Sequence, residues 1–174
     1  SMDGDLAPLP ALLALCEKYD AWLLLDDAHG VGVLGKTGRG ILEFYPSLVS
    51  HTPSRLIYMA TLGKAAGVSG AFVAGSQELI GGLVQNARAY IYTTATPPML
   101  AVALQESLRI IAAEGWRRER LAQLIAQLRD GLKLLRWQLM PSVTPIQPLL
   151  IGSSKEAVAV SQALQEKGLL VPAI

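Results

Sequence analysis

Residues 21–30 read AWLLLDDAHG, an apolar run that passes directly into two aspartates and a histidine. A short and wholly apolar run is typical of a strand buried on both faces, as in a parallel sheet. In sheets of α/β proteins, ligands bind beyond the carboxyl ends of the strands. The stretch therefore predicts an α/β fold, with a polar site where this strand ends.

A second apolar run has the same form. Residues 56–64 read LIYMATLGK, and residues 71–74 read AFVA, so two further strands are predicted. Spacing of apolar residues, prolines and glycines predicts the other elements: helices near 8–19, 77–91, 98–113, 116–138 and 154–167, and strands near 145–151 and 168–172. This alternation indicates layered α/β architecture, with a mostly parallel sheet and helices on both faces.

The long helix predicted over about 116–138 is amphipathic, with leucines at helical spacing and polar residues opposite. A helix of this kind is suited to bridge two domains. We therefore predict one domain over residues 1–113, and the bridging helix with a second domain over residues 114–174.

Bulk composition excludes several classes. A net charge of +1 gives no support for binding nucleic acid or a membrane surface. No apolar run approaches the roughly 20 residues of a membrane span, and the acidic start lacks the features of a signal peptide. The single Cys16 is compatible with a reducing compartment. These features predict a cytoplasmic protein.

Residues 30–37, GVGVLGKT, fit the spacing of a phosphate-binding loop. That motif needs a helix opening at its Lys-Thr pair, but Gly38 and Gly40 follow instead. The carboxylates of Asp26 and Asp27 would also repel a triphosphate. A nucleotide hydrolase acting through Lys36 remains an alternative, as does an α/β module without catalysis, but a glycine-rich connection is the favoured interpretation.

Four residues at the strand ends have the chemistry that pyridoxal phosphate (PLP) requires. Lys64 supplies an amine for a Schiff base, Asp26 a carboxylate for the pyridine nitrogen, and His29 and Thr61 supply hydrogen-bond donors. Asp26 is expected to be buried, where pairing would offset its desolvation.

Each of these residues also has an ordinary explanation. An aspartate after a strand often caps a turn, a loop lysine is usually solvated, and a histidine is often a satisfied core residue. A metal site would need three or more ligands. Beyond Asp26, Asp27 and His29, the chain offers only His51 as a further histidine, so no metal is expected.

Several ordered motifs resemble the α-oxoamine synthase family of PLP enzymes, and the resemblance runs along the whole chain. The motifs are DDAHG at 26–30, GRG at 38–40, TLGKA at 61–65, SMDGD at 1–5, GVSGA at 67–71, IYTTATPP at 91–98 and IQPL at 146–149. It implies part of the large domain of a fold-type I PLP-dependent transferase, followed by part of a smaller C-terminal domain.

The resemblance also implies roles. Asp26 would pair with the pyridine nitrogen, and His29, helped by Ser1, would bind the phenolic oxygen. Lys64 would form the Schiff base with PLP and later act as general acid and base, and Thr61 would bind the phosphate.

The family resemblance further implies a homodimer with its active sites at the subunit interface, where Thr94 would reach the phosphate of the partner's cofactor. The implied reaction is decarboxylative condensation of L-alanine with a pimeloyl thioester, carried on CoA or on a carrier protein. DDAHG and GVSG favour this reaction over that of 2-amino-3-ketobutyrate CoA ligase or another α-oxoamine synthase, which remain alternatives.

Family chains are longer than this one. They carry an N-terminal part with the residue that stacks on the cofactor ring, and a C-terminal arginine for the substrate carboxylate. We therefore expect the 174 residues alone to be a fragment, inactive in the condensation.

Overall fold

The computed structural model describes residues 2–49, 55–133 and 136–174. It divides into two compact units: Leu6–Arg120, and Ser1–Asp5 together with Leu121–Ile174. In chain order the elements are α1 (Leu9–Lys18), β1 (Leu23–Asp26), α2 (Ile41–Phe44), α3 (Pro46–Val49), β2 (Leu56–Thr61), β3 (Ala71–Ala74), α4 (Gln77–Asn86), α5 (Arg88–Ile91), α6 (Pro98–Ala113), α7 (Trp116–Leu132), β4 (Gln138–Leu139), β5 (Leu149–Leu150) and α8 (Ser154–Glu166).

The first unit contains a three-stranded sheet in the order β1-β2-β3. β1 and β2 are parallel, with Leu23 opposite Leu56 and Asp26 opposite Met59. β3 runs antiparallel to β2. The three strands predicted from the apolar runs are confirmed. The sequence pattern did not predict that β3 is antiparallel to its neighbour.

One face of this sheet carries the core of the unit. Leu25 of β1 and Leu56 of β2 pack there against Leu9 of α1 and Ile41 of α2. We call this the buried face. It forms because side chains alternate along a strand, so that every second apolar residue points to the same side.

The opposite face, which we call the open face, includes Leu24 and Asp26 of β1, Met59 and Thr61 of β2, and Val73 of β3. We expected both faces of β1 to be buried, but Leu24 is 64% exposed. The expectation is wrong for this chain because α1 and α2 pack on the buried face only.

Helix boundaries agree with the predictions at most ends. Ser76 caps α4 by accepting a hydrogen bond from the backbone N–H of Leu79. The helix predicted over 77–91 is two helices, divided at Ala87, whose backbone is extended. α6 begins at Pro98 and ends at Ala113, as the proline pair and the following glycine predicted.

Two sequence predictions in the second unit are wrong. α7 ends at Leu132 rather than near 138, because Gln138–Leu139 pairs with Leu149–Leu150 as an antiparallel ribbon. Residues 168–172 form no strand, since no described segment pairs with them. Whether a segment forms a strand depends on a pairing partner elsewhere in the chain, and the spacing of apolar residues within the segment does not reveal that partner.

The second unit is held together by buried hydroxyl groups. Ser142 Oγ and Thr144 Oγ1 donate to the backbone carbonyl of Gly4, at 2.9 and 3.1 Å. Arg129 Nη1 donates to the side-chain oxygen of Gln147 at 2.7 Å and to the carbonyl of Met140 at 2.9 Å. The first two bonds tie the N-terminal residues to the connection between β4 and β5, and the bonds of Arg129 tie α7 to the same connection.

The compact units divide between Arg120 and Leu121, within α7. The domain assignment at 113/114 stays a prediction, resting on the amphipathic helix. Among the described residues, no helix combines the length and the apolar character that crossing a membrane requires.

Candidate active site

The carboxyl ends of β1 and β2 meet at one edge of the sheet. Asp26 ends β1 and lies opposite Met59, and Thr61 ends β2 two residues beyond Met59. Residues paired across parallel strands, and residues two apart along one strand, share a face. Asp26 and Thr61 therefore lie on the open face at the same edge.

Lys64 is connected to this edge by a direct contact. Its Nζ donates a hydrogen bond to Thr61 Oγ1 at 3.2 Å. Lys64 is exposed and Thr61 is partly exposed. Because the hydroxyl accepts from the amine, its own hydrogen is free to be donated to an acceptor such as a phosphate oxygen.

The loop that carries Lys64 has a fixed backbone. Leu62 N–H donates to the carbonyl of Gly70 and Val68 N–H to that of Leu62, both at 2.9 Å. Ser107 of α6 donates its hydroxyl to the carbonyl of Ala66 at 2.7 Å. The side chains of Leu62, Ala66 and Val68 are buried, so the exposed lysine projects from an anchored loop.

Asp26 is exposed and Asp27 is buried, although we expected Asp26 to be buried. Asp26 is exposed, and its Oδ1 accepts the backbone N–H of Ala28 at 2.9 Å, as in a turn. Asp27 is only 5% exposed. The expectation of a buried Asp26 is wrong because that residue lies on the open face, whereas the next residue points into the core.

The buried carboxylate of Asp27 accepts two hydrogen bonds, both at the same oxygen. Its Oδ2 accepts the hydroxyl of Tyr58 at 2.6 Å and the backbone N–H of Ile41 at 2.7 Å. Burial raises the pKa of Asp27, while the bonds from Tyr58 and Ile41 partly offset that rise. Burial, followed by the bond to Asp27, also raises the pKa of Tyr58.

His29 lies in a tight turn at the end of β1. The carbonyl of Asp27 accepts the N–H groups of Gly30 and Val31, at 2.9 and 3.2 Å. His29 is exposed between these buried or half-buried neighbours. The turn therefore presents the imidazole three residues after Asp26.

Glu43 closes the glycine-rich loop that follows. Its carboxylate accepts the backbone N–H groups of Thr37 and Arg39 and the hydroxyl of Thr37, at 2.9–3.1 Å. Arg118 donates to the carbonyls of Lys36 and Ile111, at 3.0 and 2.7 Å. Hydrogen bonds from within the loop to Glu43, and from Arg118 to the loop, therefore hold the loop in one conformation.

This geometry argues against a phosphate-binding loop at residues 30–37. The N–H group of Thr37, which a phosphate would need, is already used by the carboxylate of Glu43. The next helix begins at Ile41 rather than at the Lys36-Thr37 pair. The glycine-rich connection is the interpretation that agrees with the structure.

Three sequence-level candidates lie elsewhere. Thr94 is exposed in the segment between α5 and α6, and within the described chain it forms no hydrogen bond with the other candidates. Ser1 and His51 fall outside the described residues. In the part of the chain that the structure describes, no group of three acidic, histidine or cysteine side chains is arranged to hold a metal ion.

The residues at this edge fit PLP. An exposed amine lies in hydrogen-bond contact with a hydroxyl, and an exposed carboxylate shares their edge and face of the sheet. A cofactor that needs an amine for its aldehyde, a carboxylate for its pyridine nitrogen and a hydroxyl for its phosphate finds all three groups on one surface.

A mixed sheet with an amine, a hydroxyl and a carboxylate at one edge is an arrangement that suits a PLP-binding protein of the α/β class. The family described as aminotransferase class I and II matches residues 1–174, and the chain belongs to that family.

A curated relative, the 8-amino-7-oxononanoate synthase of Nitrosospira multiformis, is 62% identical over 174 residues, which are all of this chain and 43% of that protein. The crystal structure of 8-amino-7-oxononanoate synthase from Francisella tularensis is 31% identical, with a TM-score of 0.79 over 92% of this chain and 48% of that one.

A serine palmitoyltransferase from S. paucimobilis, solved with a bound PLP–myriocin aldimine, is 28% identical. Its TM-score is 0.85, over 99% of this chain and 44% of that one. These similarities confirm the predicted α/β fold, part of the large domain of a PLP-dependent transferase. The chain spans less than half the length of the relatives it matches.

Sequence reasoning missed Asp27, Tyr58 and Ser107. Tyr58 looked like one more apolar residue within β2, and Ser107 is a single polar residue on α6. The one available signal was the second aspartate of DDAHG, because a carboxylate that follows a buried strand on the core side needs a buried donor.

Proposed function

We propose that this chain is part of a PLP-dependent acyltransferase that condenses L-alanine with a pimeloyl thioester. The net reaction gives 8-amino-7-oxononanoate, carbon dioxide and the free thiol of the carrier. Support comes from relatives of that name at 62% identity over the whole chain and from the motifs that distinguish them from relatives using glycine.

The single observation that carries the proposal is the contact between Lys64 Nζ and Thr61 Oγ1, at the sheet edge where Asp26 also lies. An arrangement of this kind is what a phosphorylated aldehyde cofactor needs.

Each residue has a separate task in this proposal. Lys64 would hold the aldehyde carbon of PLP and, once released, move the proton of the alanine Cα. Asp26 would keep a proton on the pyridine nitrogen, and Thr61 would donate to the phosphate. His29, with Ser1, would donate to the phenolic oxygen. When bound, PLP supplies the electron sink that stabilises negative charge at Cα.

The test uses a full-length chimera in which this chain replaces the 174 aligned residues of the Nitrosospira multiformis relative. We expect the chimera to bind PLP and to release thiol from pimeloyl-CoA when L-alanine is present. Faster turnover with glycine or L-serine and another acyl-CoA would assign it to a different α-oxoamine synthase. Absence of PLP binding would contradict the whole proposal.

We also propose that the full-length protein is a homodimer in which Thr94 acts on the partner's cofactor. Exposure of Thr94, away from the hydrogen bonds of the other candidates, is compatible with that role. Mixing inactive Lys64→Ala and impaired Thr94→Val chimeras should restore activity, because each heterodimer regains one intact site. No recovery after subunit exchange would contradict a shared site.

A cytoplasmic location is part of the same proposal. Its support is the single Cys16 of this chain. One cysteine cannot form an internal disulfide, which is compatible with a reducing compartment. Cell fractionation of a host that expresses the full-length protein tests this location.

A further inference from the structure

A buried carboxylate bonded to a half-buried phenol lies directly beneath the candidate cofactor residues. Asp27 Oδ2 and the hydroxyl of Tyr58 are 2.6 Å apart on the buried face of the sheet. Neither residue faces the surface where PLP would bind. Both are nevertheless next to its proposed ligands, since Asp27 follows Asp26 and Tyr58 belongs to the strand that ends at Thr61.

Asp27 connects four segments that hold the site. Its side chain bonds Tyr58 of β2 and the first N–H of α2, at Ile41. Its backbone N–H donates to the carbonyl of Met59 at 2.8 Å, and its carbonyl accepts the turn N–H of Gly30. One residue therefore joins β1, β2, the turn that presents His29, and the end of the glycine-rich loop.

Gly30 and Gly40 leave room for this carboxylate. A Cβ atom at Gly30 would overlap Asp27 Oδ1, and one at Gly40 would overlap Oδ2 and crowd the hydroxyl of Tyr58. Gly40 also has a φ of +87°, a conformation that side chains disfavour. The backbone encloses the carboxylate closely enough to fix its position.

We infer that Asp27 and Tyr58 are positioning residues for the proposed active site, in that their bond fixes the directions of Asp26 and His29. The inference rests on the proposed function. Side chains alternate along the strand, so a fixed Asp27 pointing into the core forces Asp26 onto the open face. The same bonds fix the turn, and with it the imidazole three residues after Asp26.

The pair can be tested through Tyr58, because Asp27→Ala would leave the buried N–H of Ile41 without its acceptor and would open a cavity in the core, which could prevent folding. Tyr58→Phe removes only the hydroxyl. In the chimera we expect it to weaken PLP binding on the order of 10-fold, which corresponds to about 1.4 kcal/mol. The absorbance maximum of bound PLP should shift as well.

Tyr45→Phe is the matched control. The hydroxyl of Tyr45 donates to the carbonyl of Ala7 at 3.0 Å in the same compact unit, but none of these atoms belongs to the site. Tyr58→Phe should cost more stability in urea than Tyr45→Phe, because it removes a bond to a carboxylate and a longer one to the carbonyl of Arg39, at 3.5 Å, whereas Tyr45→Phe removes one neutral bond. Only Tyr58→Phe should change the PLP dissociation constant and spectrum.

Asp27→Asn is the conservative variant, since an amide oxygen can accept the same two hydrogen bonds. It should bind PLP more tightly than Tyr58→Phe does. Equal PLP affinity and spectra in Tyr58→Phe and Tyr45→Phe would overturn the inference. The proposed function would still hold in that case if the wild-type chimera binds PLP and Asp26→Asn destroys activity. A wild-type chimera that binds no PLP would overturn both the proposed function and the positioning role of Asp27 and Tyr58.

Discussion

Asp26 and Asp27 are adjacent in the chain but have opposite environments. Asp26 is exposed on the open face, whereas Asp27 is buried and accepts the hydroxyl of Tyr58. Because side chains alternate between the two faces along β1, the carboxylate of Asp26 is accessible to a ligand, whereas that of Asp27 bonds groups of the core. A carboxylate pair of this kind gives two different mutational phenotypes.

We expect Asp26→Asn to be the more damaging of the two isosteric changes for catalysis in the chimera. Asparagine at 26 removes the charge that would keep the pyridine nitrogen protonated, and we expect a rate loss on the order of 10²-fold or more. Asp27→Asn keeps its two hydrogen bonds and should retain most activity. Steady-state thiol release measures both, and a larger loss in Asp27→Asn would reverse the assignment.

Lys64 should be the residue that carries PLP covalently. Its contact with Thr61 places the amine at the sheet edge, whereas Lys36 lies in the loop closed by Glu43. Borohydride reduction of the PLP-loaded chimera, followed by peptide mapping, should label Lys64. Lys64→Arg keeps the positive charge and should abolish the label. Label on Lys36 would contradict the assignment.

Asp27 should give the free energy of unfolding a pH dependence of defined sign. Burial raises its pKa above 3.8, against the opposing bonds from Tyr58 and Ile41. From 3.8 up to the raised native pKa, the folded state binds more protons than the unfolded state, so this residue's contribution to stability falls as pH rises. Asp27→Asn should remove that slope. Urea unfolding of the PLP-free chimera across this window measures it, and an unchanged slope would contradict the prediction.

Glu43 should act in the opposite sense. Burial alone would raise its pKa, but the hydrogen bonds from Thr37 and Arg39 outweigh burial and hold the pKa below 4.5. Its stabilisation is therefore present above pH 4.5 and is lost as pH falls from there through the native pKa. Glu43→Gln should lower stability at neutral pH by about 1 kcal/mol, since these are charged hydrogen bonds at a partly exposed site.

Urea unfolding at neutral and acid pH checks the Glu43→Gln prediction. The exposed Glu17 of α1 supplies the control, because Glu17→Gln removes an equal charge outside the loop. A loss in Glu43→Gln that does not shrink at acid pH would show that the carboxylate charge has no part in closing the loop.

Local pattern was sufficient to predict the three strands and the longer helices of the first unit, but not the short helices α2 and α3 or the break at Ala87. Apolar runs gave β2 and β3, and the proline pair gave the start of α6. The direction of β3, the end of α7 and the ribbon at Gln138–Leu139 depend on pairing between distant segments. Spacing within one segment carries no information about such pairing.

The candidate site divides in the same way. Asp26, His29, Thr61 and Lys64 were predicted because each lies at or just after a strand end. The bond from Tyr58 to Asp27 joins residues 31 positions apart, and that from Ile41 joins residues 14 apart. Only the fold brings those groups together. Strand alternation and the family resemblance could assign Asp26 to the cofactor, but they could not identify the partners that hold Asp27.

The open face should also determine how the isolated 174-residue chain behaves in solution. Leu24 is 64% and Val73 43% exposed on it, and exposed apolar sheet surface favours association. We expect the isolated chain to self-associate at micromolar concentration, and Leu24→Lys with Val73→Lys to reduce this. Leu128→Lys with Val158→Lys, at similarly exposed positions of α7 and α8, adds the same charge elsewhere as a control. Light scattering after size exclusion distinguishes the two pairs.

Leu24→Lys should be unfavourable in the chimera, although it should improve the solubility of the isolated chain. An apolar strand such as β1 is typical of burial on both faces, and we expect the remainder of the relative's chain to cover Leu24 there. Placing a lysine at that position would then forfeit the burial of a leucine, about 1.5–3 kcal/mol, and would bury a charge as well. Leu24→Lys should therefore make the isolated chain more soluble but lower the urea midpoint of the chimera. If the chimera tolerates Leu24→Lys without loss of stability, the open face remains uncovered in the longer protein, and the prediction of a doubly buried β1 fails there too.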